Sequence, residues 1–564
     1  MKHSMKLDRD PFEKIRSGSK TIELRLYDEK RSLIAHGDII EFTLKDKPDE
    51  CFEAQVTALH RFDSFEQLYK SLPLEKCGYS EKDLPSASFH DMEKYYSPQK
   101  QAQYGVVGIE LEVLNRDILL ARKIAGAVAE KGGTAYYVGG FVRDKIRKKE
   151  NKDVDIEVHG IRPAELEAIL DGFGERISIG ESFGIYNIKG YSLDIAMPRK
   201  EENRGSGHRD FDVFVDPFIG TEKAAVRRDF TVNALMQNVL TGEVVDWFGG
   251  LKDLEDGIIR HINDKTFAED ELRVLRAAQF SARFGYTVAD ETVELCRKMS
   301  LSSLPCERVM GELEKALLKA DKPSVFFEVL RSMNQLSFWF PELENIIGIQ
   351  QNPKHHSEGD VWVHTMMVLD EGARFRNKAK NPLGFMLACL THDFGKAVCT
   401  EVINGEIHSY MHEKRGLPII KAFMKRLTNE KALTDYVLNL AELHMKPNTL
   451  AADKSSIKAT NRMFDAALDP EALLCIATAD GLGKIAQREY VPYDDFFNER
   501  LAIYREYMAR PCVMGRDLIE AGLKPSKNFS KYLELAHNLR LSGVDKERVL
   551  KQILGEARKA GDIS

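Results

Sequence analysis

The chain has 564 residues, 43% hydrophobic and 30% charged, with a formal net charge of -7. That length exceeds what one hydrophobic core supports, so several domains are expected, and the composition is that of a globular protein rather than a disordered one. No apolar run approaches the roughly 20 residues that cross a bilayer. The N-terminus MKHSMKLDRDPFEK is polar, and the eight cysteines form no C-x-x-C pair. Reduced thiols and a cytoplasmic location are expected, with no membrane partner.

Residues 1–113 carry short β-like runs at 21–26, 38–42 and 105–113, and read as a small β-rich module. Seventeen basic against 21 acidic residues there argue against broad electrostatic binding to RNA. Helical periodicity over 117–131 opens the next domain, and strand signals follow at 135–138, 154–158 and 193–197 in an α/β pattern. The stretch RKEENRGSGHRD, 199–210, reads as a mobile loop. From about Leu251 the period is almost wholly helical, broken near Pro341 and Asn352-Pro353.

Tyr137-Val-Gly-Gly-Phe-Val-Arg-Asp144 followed by Asp153-Val-Asp155 is the densest chemical signal. A strand ending in Gly139-Gly140 and entering a helix lets backbone N–H groups approach phosphate, and Arg143 in the first turn can add a charge-assisted contact. Residues two apart on a strand share a face, so Asp153 and Asp155 project together. Paired carboxylates there call for divalent cations, and two Mg²⁺ ions can activate a hydroxyl and stabilise departing pyrophosphate. A glycine turn beside a solvent-facing acidic strand end is the alternative.

These residues resemble the head domain of class II tRNA nucleotidyltransferases and bacterial poly(A) polymerases, G-G-x-V-R-D followed by D-x-D. Arg227-Arg228-Asp229-Phe230-Thr-Val-Asn233-Ala234, Asp246-Trp-Phe-Gly249-Gly250-Leu-Lys-Asp253, Ala268-Glu-Asp270-Glu-Leu-Arg273-Val-Leu-Arg276 and Glu307-Arg308 continue the family's motifs in order. The resemblance implies CMP and AMP transfer from CTP and ATP to tRNA, with Asp153 and Asp155 catalytic. Gly140, Arg143, Arg228, Asp270, Arg273 and Arg276 would contact nucleotide. Asp270 and Arg273, three apart on one helical face, can accept from the amino group and donate to the ring nitrogen of cytosine or adenine. Guanine and uracil reverse both partners. A surface salt bridge is the plain alternative for that pair. The resemblance breaks at Gln279, where the family often carries a basic residue. Asp194 is read either as a neighbour of the metals or as structural.

Seven of the fifteen histidines fall between 355 and 444. His364, His392-Asp393 and Asp480 resemble the ligand set of an HD phosphohydrolase domain, which implies a second divalent metal (Mn, Ni or Mg) and phosphoesterase chemistry. His408, His412 and His444 are read either as extra ligands or phosphate contacts or as ordinary polar side chains, with the plain reading preferred. Gly18-Ser-Lys20-Thr-Ile-Glu23-Leu-Arg25 resembles an ASCH domain, with Lys20, Glu23 and Arg25 either a ligand pocket or a surface charge set.

The expected architecture is multidomain α+β. An ASCH-like small β-barrel (1–113) precedes an α/β nucleotidyltransferase head (114–250). A helical neck (251–340), an HD domain (341–510) and a mildly basic helical tail (511–564) follow. Poly(A) polymerase and a non-catalytic RNA-binding scaffold are the competing readings.

Overall fold

Alternating apolar residues turn the N-terminal segments into strands with one face on a core. The structure, a computed structural model, describes all residues except 81, 150, 152, 179–183, 204–210, 486–489 and 564. It divides into two compact units, Met1–Ala225 with Asn233–Trp247, and Val226–Val232 with Phe248–Ser564.

In the first unit, β1 (Lys2–Leu7), β2 (Ile22–Leu26), β3 (Ile39–Leu44), β4 (Lys47–Phe62) and β5 (Val106–Leu114) form a sheet in the order β1-β3-β4-β5-β2. Ile40, Phe42, Val56 and Ile109 are fully buried on its core face. Register shifts at Thr43/Leu44 and Val56/Ala58 interrupt the ladder, where bulges increase twist. The expected small barrel therefore takes the form of an open, curled sheet with β1 and β2 at its edges. On β2, Ile22, Leu24 and Leu26 enter a second apolar cluster with Phe65 and Leu68. Glu23 and Arg25, on the opposite face, line a cavity of about 490 Å³ with Lys20, Tyr69, Tyr79 and Tyr96.

The second sheet of this unit runs β14-β13-β6-β7-β10-β9-β8. Its strands are β6 (Thr134–Val138), β7 (Val154–His159), β8 (Arg176–Ser178), β9 (Ile185–Ile188), β10 (Leu193–Ala196), β13 (Met236–Asn238) and β14 (Val244–Val245). Helix Arg116–Glu130 buries Leu120, Ala121, Ile124 and Val128. Asn115 caps it through the Asp117 N–H, and the buried Asp117 carboxylate accepts from the Ser192 N–H at 3.1 Å, just before β10. The mobile loop expected at 199–210 is corrected in part. β11 (Arg199–Asn203) pairs antiparallel with β12 (Phe211–Val215), whose aromatic and β-branched residues favour a strand. Positions 204–210 of that expectation lie outside the described residues.

The second unit is helical except for two small ladders. Ile258–Ile259 pairs with Thr287–Val288, and Glu401–Ile403 pairs with Glu406–His408. The latter hairpin turns at Asn404-Gly405, both at positive φ, a two-residue turn signal that helical periodicity overlooks. Among the described residues no helix is long and apolar enough to cross a membrane.

Glu23 is 3% exposed, with Lys20 Nζ at 2.7 Å and Arg25 Nε at 2.8 Å. Burial alone would raise its carboxyl, but Lys20 and Arg25 hold it below the ordinary carboxylate value. Its folded pKa is depressed, so its contribution is complete above the unfolded value and is lost as pH falls through the folded one. Glu23→Ala leaves the half-buried Lys20 and Arg25 without their shared carboxylate and is expected to destabilise the N-terminal sheet by roughly 1–3 kcal/mol near neutral pH. The deficit relative to the parent should shrink in acid. Equal melting of the two proteins at pH 7 would contradict this.

Candidate active sites

In the first unit, β6 leads into Gly139, whose φ of 65° and ψ of -134° suit glycine alone, and helix Gly140–Ile146 begins at once. The helix turns Arg143 inward. Its Nε and Nη2 donate to the two oxygens of Asp144 at 2.8 and 2.9 Å, and Nη1 donates to Asn233 Oδ1 at 2.6 Å. Arg143 is 4% exposed. The guanidinium expected to reach a triphosphate thus holds the motif pieces together, because a bidentate carboxylate one residue away captures its fork. Asn151, which the sequence reading passed over, extends the network. Its Nδ2 donates to Asp144 at 2.9 Å and its Oδ1 accepts from the Asp153 N–H at 3.0 Å.

Asp155 lies in β7 next to the buried Val154, and Asp153, expected in the same strand, immediately precedes it. Asp153 is exposed and Asp155 half-buried. β10 lies parallel to β7 with Asp194 directly beside Asp155, and Asn187 of β9 pairs with Asp194 in turn. Adjacent strands are about 4.8 Å apart, so Asp155 and Asp194 form one row on one face. Asn187 Nδ2 donates to Asp194 Oδ1 at 3.1 Å. The acidic oxygens suit a hard divalent cation bound with few protein ligands.

In the second unit the selecting segment departs from expectation. Asp270 does not share a helical face with Arg273, because it precedes helix Leu272–Phe284. Its Oδ1 accepts from the Leu272 N–H at 3.1 Å and its Oδ2 from Arg308 Nη2 at 3.0 Å. A short Asp side chain favours satisfying helix-start N–H groups over entering the helix. Arg273 donates to the carbonyls of Thr266 at 2.5 Å and Arg227 at 2.6 Å, which fixes the plane of its guanidinium and spends two of its five N–H donors. Arg276, expected at the nucleotide, donates from Nε to Asp229 Oδ2 at 2.7 Å. Burial works against its charge, but Asp229 and Glu312 raise it further. Arg228 is half-buried beside Asp229, and Gln279 is buried in the helix.

The second unit also gathers the histidines. His364 Nε2 lies 3.1 Å from Asp480 Oδ1 and 3.5 Å from Asp393 Oδ2, and His392 Nε2 lies 3.3 Å from Asp393 Oδ2. All four residues expected as ligands therefore converge, and none exceeds 3% exposure. His408 stays apart, stacked on Tyr410. The reading of His412 and His444 as ordinary polar side chains is corrected, since both are buried against this group. His412 Nε2 is 3.2 Å from Asp393 Oδ1 and 3.4 Å from His444 Nε2. Their separation along the chain hid this convergence of helices.

Lys396 Nζ reaches Asp393 Oδ2 at 2.6 Å, and Lys484 Nζ reaches Asp480 Oδ2 at 2.7 Å. Burial alone would raise both carboxyls, but Lys396 and His392 hold Asp393, and Lys484 and His364 hold Asp480, well below the ordinary range. Burial pushes His444 down to about 3. Burial also opposes charge on His364, yet Asp480 and Glu358 raise it. Lys396, Lys484 and Glu358 had no assigned role in the sequence. The i,i+3 spacing of Asp393 and Lys396 and the i,i+4 spacing of Asp480 and Lys484 were the available signals.

A glycine turn leading to a strand that aligns carboxylates, with a helical body to follow, defines an RNA nucleotidyltransferase. Family models agree: the Poly A polymerase head domain matches residues 135–260, the ASCH domain 5–115, and the "Probable RNA and SrmB- binding site of polymerase A" 285–347. The chain is 34% identical over 369 residues to the multifunctional CCA protein of Actinobacillus pleuropneumoniae, covering 63% of this chain and 87% of that one. It is 35% identical over 403 residues to that of Pasteurella multocida, covering 69% and 92%. The Thermotoga maritima CCA-adding enzyme complexed with tRNA shares the fold, with TM-score 0.54, 19% identity and coverage of 78% and 96%. So does the Bacillus stearothermophilus CCA-adding enzyme in complex with CTP, with TM-score 0.55, 20% identity and coverage of 79% and 99%. The chain belongs to the multifunctional CCA protein family.

If Arg143 is a scaffold, Arg143→Ala leaves Asp144 and Asn233 buried without their cation and costs about 3–5 kcal/mol. A fall in the denaturation midpoint of the purified variant without any nucleotide present checks this. An unchanged midpoint would return Arg143 to a purely ligand-contacting role.

Proposed function

We propose that this chain is a CCA-adding tRNA nucleotidyltransferase, transferring CMP and AMP from CTP and ATP to the 3′ end of tRNA. The observation that carries the reading is the carboxylate row: Asp153 and Asp155 flank Val154, with Asp194 beside Asp155. Asp153 and Asp155 would hold Mg²⁺, with Asp194 close enough to shape its surroundings. Bound there, Mg²⁺ supplies charge stabilisation at the phosphate and hydroxyl oxygens. The Gly139-Gly140 turn keeps side chains away from the approaching phosphates. Asp270 and Arg273 are assigned to reading the amino donor and ring-nitrogen acceptor of C or A, with Arg308 and the two backbone carbonyls orienting them. Arg228 is assigned to the nucleotide, and Arg276 to holding Asp229. Membership in a family of multifunctional CCA proteins favours this reading over poly(A) polymerase or a scaffold. The second unit's RNA-binding match and mildly basic tail support tRNA as the partner.

Asp153→Ala is expected to lower CTP and ATP incorporation by at least ~100-fold, the scale on which single electrostatic groups act at a reacting centre. Affinity for tRNA should stay near the parent's. Primer-extension and filter-binding assays on one preparation check both, and parent-like incorporation in Mg²⁺ would refute the assignment.

A second reading concerns the helical cluster. The convergence of His364, His392, Asp393 and Asp480 favours a divalent metal centre with phosphohydrolase activity. Each of these histidines has its Nδ1 beside a backbone carbonyl, Gly483 at 3.1 Å and Cys389 at 2.8 Å. A carbonyl only accepts, so Nδ1 carries the proton and Nε2 presents a lone pair, as a metal ligand must. His392 Nε2 faces Asp393 at 3.3 Å without a well-formed hydrogen bond among the described residues, which suits that role. Mixed nitrogen and oxygen donors fit Mn²⁺, Ni²⁺ or Mg²⁺. Bound there, the ion polarises a phosphoester. Removing a 3′-terminal phosphate would restore the hydroxyl that the head extends. His392→Ala with Asp393→Ala is expected to abolish metal-dependent phosphoesterase activity while CCA addition to hydroxyl-ended tRNA continues. Assays of both reactions, with circular dichroism confirming helix content, decide it. Loss of both activities in a folded variant would argue for one shared centre.

A further inference from the structure

We propose that Glu358 is a positioning residue of the helical metal centre, a carboxylate that orients His364 from behind and strengthens its hold on a cation. The proposal rests on the metal-centre reading above and adds a residue outside the expected ligand set.

Glu358 lies in the loop ahead of helix Val361–Ala373, which carries His364. Its side chain is wholly enclosed, and its oxygens meet N–H groups. Oε1 accepts from His356 Nδ1 at 2.7 Å and lies 3.3 Å from His364 Nδ1. Oε2 accepts from the Ile485 N–H at 2.9 Å, and the Ser357 N–H donates back to the Ile485 carbonyl at 2.7 Å. Ile485 follows helix Pro470–Leu482, which carries Asp480. The loop ahead of one proposed ligand is thereby pinned to the segment behind another.

His364 Nδ1 stands between two acceptors, Glu358 Oε1 and the Gly483 carbonyl at 3.1 Å. Both call for a proton there, which leaves the Nε2 lone pair toward Asp480 and Asp393. Position 483 needs glycine, because a Cβ would meet Val368 at 2.6 Å. The carbonyl alone suffices to set the tautomer, so what the carboxylate adds is charge. A carboxylate behind a ligating imidazole raises the basicity of the ring and its affinity for a metal ion.

The surroundings of Glu358 match that role. Asp393 and Asp480 each have a lysine beside them, whereas among the described residues no lysine or arginine pairs with Glu358. An enclosed carboxylate without a cation is costly. An ion on the far side of the His364 ring supplies positive charge, so the ion and Glu358 stabilise each other through the imidazole. His356, Glu358 and His364 also bring possible ligand atoms within 4.8 Å. At 2.7 Å, however, the His356–Glu358 contact is a hydrogen bond with a proton between its atoms, so these three support the centre from behind.

The test is the Mn²⁺ affinity of the full-length protein, read from the EPR signal of free Mn²⁺. The parent carries Asp153→Asn and Asp155→Asn, which remove the head's carboxylates. Glu358→Gln deletes the charge and is expected to weaken binding about 10–100-fold. Glu358→Asp keeps the charge and should recover most of that loss, whereas a purely structural role would leave the shorter Asp no better than Gln. Circular dichroism checks that helix content is unchanged. Equal affinity in parent and Glu358→Gln, or no recovery in Glu358→Asp, overturns the proposal and leaves the metal centre standing. A parent that binds no Mn²⁺ overturns both. Should a variant fail to fold, ¹⁵N NMR of the histidine-labelled, metal-free parent decides, at a pH where His364 is neutral. Its proton is expected on Nδ1, and a proton on Nε2 overturns the proposal.

Discussion

The head's geometry depends on one buried cation. The Arg143 guanidinium sits where water cannot solvate it, so its hydrogen-bonding fork must be filled by protein. Asp144 takes one side and Asn233 takes another. Asn233 lies 90 residues further along the chain, so the same bonds tie the R-R-D-F-T-x-N-A segment to the glycine turn. Through Asn151 the network reaches the backbone at Asp153 and sets where β7 begins. The position of Asp153, the first of the proposed catalytic carboxylates, is thus tied to a buried arginine.

The same device recurs in the second unit. Arg273 is fixed by two carbonyls and Arg276 by Asp229, so arginines in these motifs orient their neighbours as much as they offer contacts. An isolated surface arginine would wander among rotamers at a cost in entropy on binding. Anchoring it beforehand removes much of that cost.

The two proposed metal centres contrast in kind. The head's carboxylates stand at the open end of a sheet, exposed or half-buried, with few neighbours, as an ion that shares its coordination with a nucleotide requires. The helical cluster is buried and crowded. Its carboxylates are charged because Lys396 and Lys484 stand against them, and its imidazoles are oriented by backbone carbonyls at helix ends. As the proposed second centre, it would be defined by protein alone, without a share taken by a nucleotide.

Local chemistry made much of this legible from the chain. Alternation set Asp155 beside the buried Val154, Gly139-Gly140 marked the turn, and the order of motifs pointed to the family, because each depends on residues close in sequence. The four residues resembling an HD ligand set were also readable as a set. What tertiary structure decided is which long-range partner each charged group finds. Arg143 chose Asn233, Asp270 chose Arg308, and Asp194 came into register with Asp155 by strand pairing. His412 and His444 joined the cluster only because separate helices pack together there. Periodicity records the face a residue turns inward, but which buried groups then meet depends on how helices and strands pack across the core.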